Sequence, residues 1–393
     1  MKSTPAGRLA AIPPSPTLAI SARAKELAAA GRDVLNLSAG EPDFTTPAFI
    51  CEAAAAALAA GDTHYTPVDG TPELKRAIAA KFKRENGLDY APAEIIASCG
   101  AKHSLYNGCM ALLDPGDEVL VPAPYWVSYT AIAQLAEAVP VMLDCTPESG
   151  FKLGPEQLDA AIGPKTRLLM LNSPNNPTGA VYTRGELAAL AEVLAAHENV
   201  FVMTDDIYEH LLYGEEEFAN IVMAAPALRE RCLVVNGVSK AYAMTGWRLG
   251  YAAGPTWLVA AMKKLQSQST SNPASVTQAA AVAALNGDQS CVAEMRDIFR
   301  ARRDRFVAAL NEVPGLHCEM PPGAFYAFCD CREAIAARGL DDDIAFAKWL
   351  LDGPELAAVP GSAFGMPGFM RFSYATDQAT LDAAAKRLRQ ALE

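Results

Sequence analysis

Lys240 lies in the segment NGVSKAYAMTGWRLGYAAG, between two predicted strands and among small and apolar residues. A buried lysine must lose its charge, find a partner or react. A neutral amine is a suitable nucleophile for an aldehyde. Ser239 stands beside it and Arg248 follows eight residues later, and a hydroxyl and a guanidinium suit a phosphate dianion. The segment therefore indicates a reactive amine beside an anion site, although a surface lysine in a polar loop is the alternative that it leaves open.

An acidic pair, Asp205 and Asp206, ends the apolar run in VFVMTDDIYEHLLY. Open α/β sheets bind ligands at this end of their strands, and a buried carboxylate needs a cationic partner. A protonated pyridine nitrogen would be such a partner, and its ring could then accept electrons from a carbanion. Neighbouring residues face opposite ways, so only one of the two aspartates can meet a ring, whose phenolate oxygen Tyr208 could contact. A solvated acidic pair is the alternative.

Two loops that follow predicted strands could complete such a site. The segment NSPNNPTG (172–179) predicts a rigid loop in which Asn176 can donate to the same ring oxygen, and Asn176–Pro177 is a candidate cis peptide. In SCGAKHSL (98–105), Gly100 stands between a strand and a helix, where free N–H groups and the helix dipole favour an anion. Taken singly, either segment is also an ordinary turn.

An aromatic residue and a distant arginine have the chemistry to bind a planar ring and a carboxylate. Trp126, in PYW (124–126), could stack on a ring beyond a strand end, although most such tryptophans belong to a core. Arg371 lies in the apolar segment FMRFSYA, where its fork could hold a carboxylate with two hydrogen bonds. A structural ion pair is the alternative for Arg371.

The elements that must position these residues alternate in type along the chain. Several candidate strands are continuous apolar runs, which favours a mostly parallel sheet sandwiched by helices, an α/β fold. The candidate strands are the runs 94–100, 118–123, 139–144, 167–173, 200–206, 232–237 and 248–254, of which the last would begin with Arg248.

The pattern changes after residue 290, where a long charged helix, short strands and a terminal helix predict a smaller α+β domain. We expect a large domain over 43–289. Residues 1–42 and 290–393 are expected to form the small domain that closes over the active site.

Composition excludes several classes of protein. The net charge of −12 disfavours nucleic acid as a partner. Nine cysteines at irregular spacing argue against a disulfide framework, and five scattered histidines predict no metal site. We find no apolar run of membrane-spanning length and no signal peptide in MKSTPAGRLAAIPPSPTLAIS, so a cytoplasmic protein is expected.

Taken together, NPTG, DDIYEH and SKAYAMTGWRLGYA resemble the aspartate aminotransferase family of fold-type I enzymes that use pyridoxal 5'-phosphate (PLP). The resemblance runs from SAGEPDF (38–44) to RFSYA (371–375), nearly the whole chain. It implies a homodimer with shared active sites that transfers an amino group between an L-amino acid and a 2-oxo acid. A PLP-dependent lyase on the same fold is an alternative, whereas a transcription regulator would need a DNA-binding extension.

The resemblance also implies a role for each site residue. Lys240 would hold PLP as a Schiff base and act as the general base, and Asp205 rather than Asp206 would pair with the pyridine nitrogen. The other implied cofactor contacts are Trp126 on the ring, Tyr208 and Asn176 at its oxygen, Gly100, Ala101, Lys102, Ser239 and Arg248 at the phosphate, and Tyr65 of a neighbouring subunit. The implied substrate contacts are Gly40 and Arg371 at the α-carboxylate, with Lys102, Trp126 and Asn176.

The choice of amino acid depends chiefly on Lys102. The segments GAK and QSQSTSNP (266–273) are similar to a mostly bacterial branch in which this lysine is associated with the distal carboxylate of aspartate or glutamate. L-Aspartate and 2-oxoglutarate are therefore the expected substrates, unless Lys102 points into solvent. Branch members that accept prephenate tend to carry a lysine where this chain has Pro13 or Pro14, which disfavours prephenate. Aromatic or broad specificity stays open.

Overall fold

The computed structural model describes residues 6–9, 12 and 16–393, so Pro13 and Pro14 lie outside the described residues. The strands are β1 (Leu35–Asn36), β2 (Ile95–Ser98), β3 (Glu118–Ala123), β4 (Val139–Asp144), β5 (Thr166–Asn172), β6 (Phe201–Asp205), β7 (Cys232–Gly237), β8 (Gly250–Ala253), β9 (His317–Cys318), β10 (Tyr326–Asp330), β11 (Leu356–Ala357), β12 (Val359–Pro360) and β13 (Phe369–Ser373). The α-helices are α1 (Pro16–Ala29), α2 (Ala48–Ala59), α3 (Pro72–Lys81), α4 (Ala101–Leu112), α5 (Ser128–Leu135), α6 (Pro155–Ala161), α7 (Arg184–Ala195), α8 (Ile221–Ala224), α9 (Thr256–Ser267), α10 (Ser275–Asn286), α11 (Ser290–Leu310), α12 (Arg332–Ala337), α13 (Asp343–Asp352) and α14 (Gln378–Leu392).

A seven-stranded sheet, in the order β2-β8-β7-β6-β5-β3-β4, forms the centre of the larger part of the chain. Its apolar runs are buried on both faces because alternate side chains enter two different cores. Leu169 and Leu171 of β5 pack in one core, and Leu168 and Met170 pack in the other. The predicted mostly parallel sheet between helices is therefore confirmed.

Strand β8 is antiparallel to both of its neighbours, β2 and β7. The segment RLGYAAG is also shorter as a strand than predicted. Arg248 does not begin it, because Arg248 has a left-handed backbone conformation (φ 55°) and the strand starts at Gly250. Arg248 thus belongs to the turn that follows Lys240. The conformation of that turn, and not the alternation of side chains along a strand, sets the direction of its side chain.

A further core forms around the antiparallel sheet β12-β13-β10-β9 and the helices α11 and α14. The N-terminal strand β1 pairs in parallel with β11, and Ala24 and Leu27 of α1 pack against Leu351 and Ala357. Residues 16–36 thus pack against the C-terminal region, and the division into 43–289 and 1–42 with 290–393 stays a prediction. Among the described residues, no helix is both long and apolar enough to cross a bilayer.

A buried ion pair anchors the segment that follows β6. Lys81, at the end of α3, is fully buried, and its ammonium donates to Glu209 and, at 2.9 Å, to Asn86 Oδ1. Glu209 also accepts from Asn86 at 2.9 Å and from Asn236 at 2.7 Å. Burial alone would raise the pKa of Glu209, but Lys81, His210 and Asn86 together outweigh it and hold that pKa below its usual value. The strand end that carries Asp205 is thereby tied to α3 and β7.

Replacing Lys81 by methionine should destabilise the protein by about 3–5 kcal/mol, because the Glu209 charge would be left buried without its cation. The measurement is urea unfolding. In the double variant Lys81→Met/Glu209→Gln no buried charge is left, so most of the lost stability should return. A double variant no more stable than Lys81→Met would show that the ion pair does not hold this region together.

Candidate active site

The Lys240 side chain projects from the turn between β7 and β8 into a buried space. Its ammonium donates to the backbone carbonyl of Gly40 and lies 5.9 Å from the ring centre of Tyr208 and 5.7 Å from that of Phe325. Burial lowers the pKa of Lys240 to about 8, and the positive charges of Arg371 and Arg248 act in the same direction. A neutral, nucleophilic amine is therefore accessible near neutral pH.

Asp205 ends β6 and lies deep in the same space. Its carboxylate accepts a hydrogen bond from Tyr129 Oη at 2.8 Å and from the backbone N–H of Ile207 at 3.4 Å. Burial raises its pKa to about 6, because these hydrogen bonds and the more distant Lys240 only partly offset desolvation. Asp205 is thus a buried acid whose hydrogen-bond partners are all neutral.

Asp206 faces another direction, as the alternation of side chains predicts. It accepts from Thr204 Oγ1 at 2.6 Å and from Asn220 Nδ2 at 2.7 Å. These bonds leave Asp205 as the aspartate directed towards Lys240.

The start of α4 and the side chain of Arg248 lie together in one corner of the site. Gly100 precedes the helix with φ 91°, and a Cβ at Gly100 would lie 2.5 Å from a guanidinium nitrogen of Arg248. Gly250 allows an equally close approach, since a Cβ there would collide with the backbone of Ala101. Ser239, which precedes Lys240 in the chain, is also buried. Free N–H groups of a helix start and a guanidinium in one corner suit a phosphate.

Lys102 and Trp126 pack on each other beside this corner. The Lys102 ammonium lies 4.6 Å from the centre of the indole ring, and the indole meets Tyr129 edge-on at 5.5 Å. Burial, followed by the charge of Arg248, lowers the pKa of Lys102. Lys102 is nevertheless an exposed residue, so a lysine that points into solvent stays open as the alternative to its substrate role.

Arg371, on β13, is buried and has no acidic hydrogen-bond partner among the residues that the structure describes. Its terminal nitrogens donate to Asn176 Oδ1 and to the carbonyl of Ser38, each at 2.9 Å, and its Nε has no hydrogen-bond partner. Burial lowers its pKa. A structural ion pair is therefore the wrong explanation for Arg371, and the geometry leaves a buried cation that suits a carboxylate ligand.

Asn176 joins this cluster through both its side chain and its backbone. Its Oδ1 accepts from Arg371, and its backbone N–H donates to Asn172 Oδ1 at 2.9 Å. These bonds orient the amide so that its NH₂ group is directed away from Arg371. The Asn176–Pro177 peptide is cis, as the sequence suggested.

Three residues of the cluster were missed by the sequence analysis. Tyr129, Ser38 and Tyr326 contact Asp205, Arg371 and Tyr208 respectively. Tyr129 had a usable signal, because it follows Trp126 by three residues and so by about one helical turn.

Tyr65 is the predicted site residue that does not join the cluster. Its side chain is 91% exposed. This position leaves the residue free to meet another molecule, which is how the resemblance assigned it.

The described residues also contain one group with potential metal ligands, Glu85, Glu209 and His210. Lys81 already supplies the positive charge there, since its ammonium contacts Glu209 and lies 3.5 Å from Glu85. We therefore interpret this group as an ion-pair cluster.

Comparisons with known proteins agree with this geometry. The family model for aminotransferase class I and II matches residues 32–388. The chain is 51% identical over 391 residues to a protein of Nitrosomonas europaea named aspartate/prephenate aminotransferase, with 98% of each chain covered. The crystal structure of the aspartate aminotransferase from Rhizobium meliloti superposes with a TM-score of 0.96 at 48% identity, covering 99% of this chain and 98% of that one.

A second solved structure, the aspartate aminotransferase from Thermus thermophilus with maleate, gives a TM-score of 0.93 at 43% identity, covering 98% of this chain and 99% of that one. The chain belongs to the aminotransferase class I and II family.

In the cofactor-free protein, Asp205 should lower stability at neutral pH. The pKa of Asp205 is raised to about 6 in the folded state. The free energy of unfolding should therefore fall by about 3 kcal/mol as the pH rises from about 4 through 6, because the folded protein must then hold a buried carboxylate. Asp205→Asn removes this loss, so the variant should be the more stable protein at pH 7 and similar to the wild type at pH 4. Urea unfolding at both pH values measures the difference.

The control for this experiment is Asp341→Asn at an exposed position, which should follow the wild-type pH dependence. If Asp205→Asn is equally or less stable than the wild type at pH 7, Asp205 is not a strained buried acid.

Proposed function

We propose that the chain is a PLP-dependent aminotransferase that converts L-aspartate and 2-oxoglutarate to oxaloacetate and L-glutamate. The observation that carries the proposal is a partly buried lysine of lowered pKa in the same space as a buried acid and a buried arginine, neither of which has an oppositely charged hydrogen-bond partner among the described residues. We further propose a cytoplasmic homodimer in which Tyr65 reaches the partner's cofactor phosphate. A monomer in analytical ultracentrifugation would contradict the homodimer.

Three features of the site fit PLP. Asp205 is buried and bonded only to neutral donors, so a protonated pyridine nitrogen would supply its missing cation. The helix start at Gly100, with Arg248 beside it, suits a phosphate. The Lys240 amine can hold the carbonyl carbon of the cofactor covalently. When bound, PLP supplies a conjugated ring that withdraws electrons from the substrate Cα.

The protein's own groups then have defined tasks. Lys240, once free of the cofactor, is the base that takes the proton from the substrate Cα and later returns it, and a pKa near 8 suits both directions. Tyr208 and Asn176 are positioned to donate to the ring oxygen. Asp205 keeps the ring nitrogen protonated, and because it is buried this interaction is not weakened by water.

The substrate's two carboxylates would be bound by two different cations. Arg371 has an unpartnered Nε and a fork fixed by Asn176 and Ser38, which suits the α-carboxylate with help from the backbone at Gly40. Lys102, whose ammonium lies over the ring of Trp126, suits the distal carboxylate. The names of the relatives support aspartate, and the Thermus thermophilus protein was solved with maleate, itself a dicarboxylate.

Prephenate is a second candidate substrate. The sequence disfavours it through Pro13 or Pro14, whereas the Nitrosomonas europaea relative is named for both aspartate and prephenate. Formation of aspartate-derived oxaloacetate with prephenate as the only amino acceptor would establish this activity. Aromatic amino acids, tested as donors, would decide whether specificity is broad, and release of ammonia without an acceptor would indicate a lyase.

Lys240→Ala should abolish the absorbance of covalently held PLP and nearly all transamination, because both the attachment point and the base are lost. Adding L-aspartate to the wild type should convert this absorbance to that of the amine form of the cofactor, with oxaloacetate released. The exposed Lys264 on α9 offers a matched control, and Lys264→Ala should behave as wild type. Normal turnover by Lys240→Ala, or no spectral change with aspartate or glutamate, would refute the proposal.

Lys102→Met should raise KM for aspartate about 10- to 100-fold while leaving monocarboxylic donors such as alanine nearly unchanged, because a charged hydrogen bond contributes about 1.5–3 kcal/mol. Steady-state kinetics with both donors measure the change in selectivity. An equal loss for aspartate and alanine would mean that Lys102 serves the cofactor rather than the distal carboxylate.

A further inference from the structure

Tyr326 contacts several groups of the site at once. It is fully buried at the start of β10, and its hydroxyl lies 2.8 Å from that of Tyr208. A Cβ at Gly40 would lie 3.1 Å from the same hydroxyl. Its ring lies beneath the guanidinium of Arg371, 4.3 Å from the ring centre to the guanidinium carbon. One side chain therefore contacts the residues proposed for the cofactor ring oxygen and for the substrate carboxylate.

We infer that Tyr326 is a positioning residue that acts on the cofactor through its hydroxyl and on the substrate carboxylate through its ring. The inference rests on the proposed function. Tyr326 would not touch the cofactor itself and would act on it through Tyr208.

The hydroxyl part follows from the hydrogen-bonding capacity of phenols. A phenol has one proton to donate and two lone pairs that accept. If Tyr208 donates its proton to the ring oxygen of the cofactor, the short contact with Tyr326 requires Tyr326 to donate to Tyr208. A chain of hydrogen bonds in a buried site polarises its members, so Tyr208 becomes a stronger donor than it would be alone.

The ring part follows from the burial of Arg371. The faces of Tyr326 and Phe364 lie against the guanidinium at 4.3 and 5.0 Å. An aromatic face attracts a buried cation, and the two rings fix the plane in which the guanidinium lies. Strand pairing maintains this contact, because Tyr326 pairs with Ser373, two residues from Arg371 on β13.

Two substitutions separate these effects. Tyr326→Phe keeps the ring and removes the hydroxyl, whereas Tyr326→Leu removes both. The first measurement is a pH titration of the absorbance of the purified holoenzyme without substrate, which reports the proton shared between the Lys240 nitrogen and the cofactor's ring oxygen. A weaker donor at Tyr208 leaves more negative charge on that oxygen, so the proton is held more tightly.

For Tyr326→Phe we expect the midpoint of this titration to rise by about 0.3–0.8 pH units, with KM for aspartate within about twofold of wild type. For Tyr326→Leu we expect the same rise and, in addition, an increase in KM of about 3- to 30-fold. Tyr374→Phe is the matched control, because Tyr374 is equally buried just after β13 and its hydroxyl donates to Ala324 O at 3.2 Å. It should leave both the midpoint and KM unchanged.

An unshifted midpoint in Tyr326→Phe would overturn the role of the hydroxyl, and an unchanged KM in folded Tyr326→Leu would overturn that of the ring. A shift of equal size in Tyr374→Phe would assign the effect to general loosening of the small domain and also overturn the inference. These outcomes differ from failure of the proposed function, in which the wild-type protein itself would show no titrating absorbance that depends on Lys240.

Discussion

Charges that are buried without matching partners dominate this structure. Lys240, Asp205 and Arg371 lie in one space at the carboxyl edge of the central sheet, and their hydrogen-bond partners are carbonyls, amides and hydroxyls. Burial lowers the pKa of Lys240 and of Arg371 and raises that of Asp205, so in each case it favours the neutral form. Such groups cost free energy unless a ligand supplies the missing charges. A ligand that carries a cation, an anion and an electrophilic carbon would therefore match all three groups.

The rest of the fold keeps these groups in place against that cost. The Lys81–Glu209 ion pair fixes the chain just beyond Asp205, and the close approach of Gly250 to Ala101 brings the helix start next to the turn of Arg248. Tyr208, in the segment after β6, belongs to the same hydrophobic core as Tyr326 of β10. Movement of that core relative to the central sheet would therefore displace Tyr208.

The sequence predicted the parts of this arrangement that depend on local pattern. Continuous apolar runs revealed the central sheet, and the resemblance of the motifs to the aspartate aminotransferase family assigned Lys240, Asp205, Asn176 and Arg371 to one site. The antiparallel direction of β8 was missed, because a strand buried on both faces has the same composition in either direction. Tyr326 was also missed, since FYAFCDC reads as an ordinary core strand and only its pairing with β13 brings the hydroxyl to Tyr208.

The family is established by a model match over residues 32–388 and by relatives of about half-identical sequence, whereas the individual site roles rest on geometry and resemblance. The central claim is that Lys240 is the covalent attachment point of the cofactor. Borohydride reduction of the purified holoenzyme, followed by peptide mass spectrometry, tests it directly. A phosphopyridoxyl group on Lys240 alone is the predicted result. The same group on Lys102 or another lysine, or none at all, would contradict the claim.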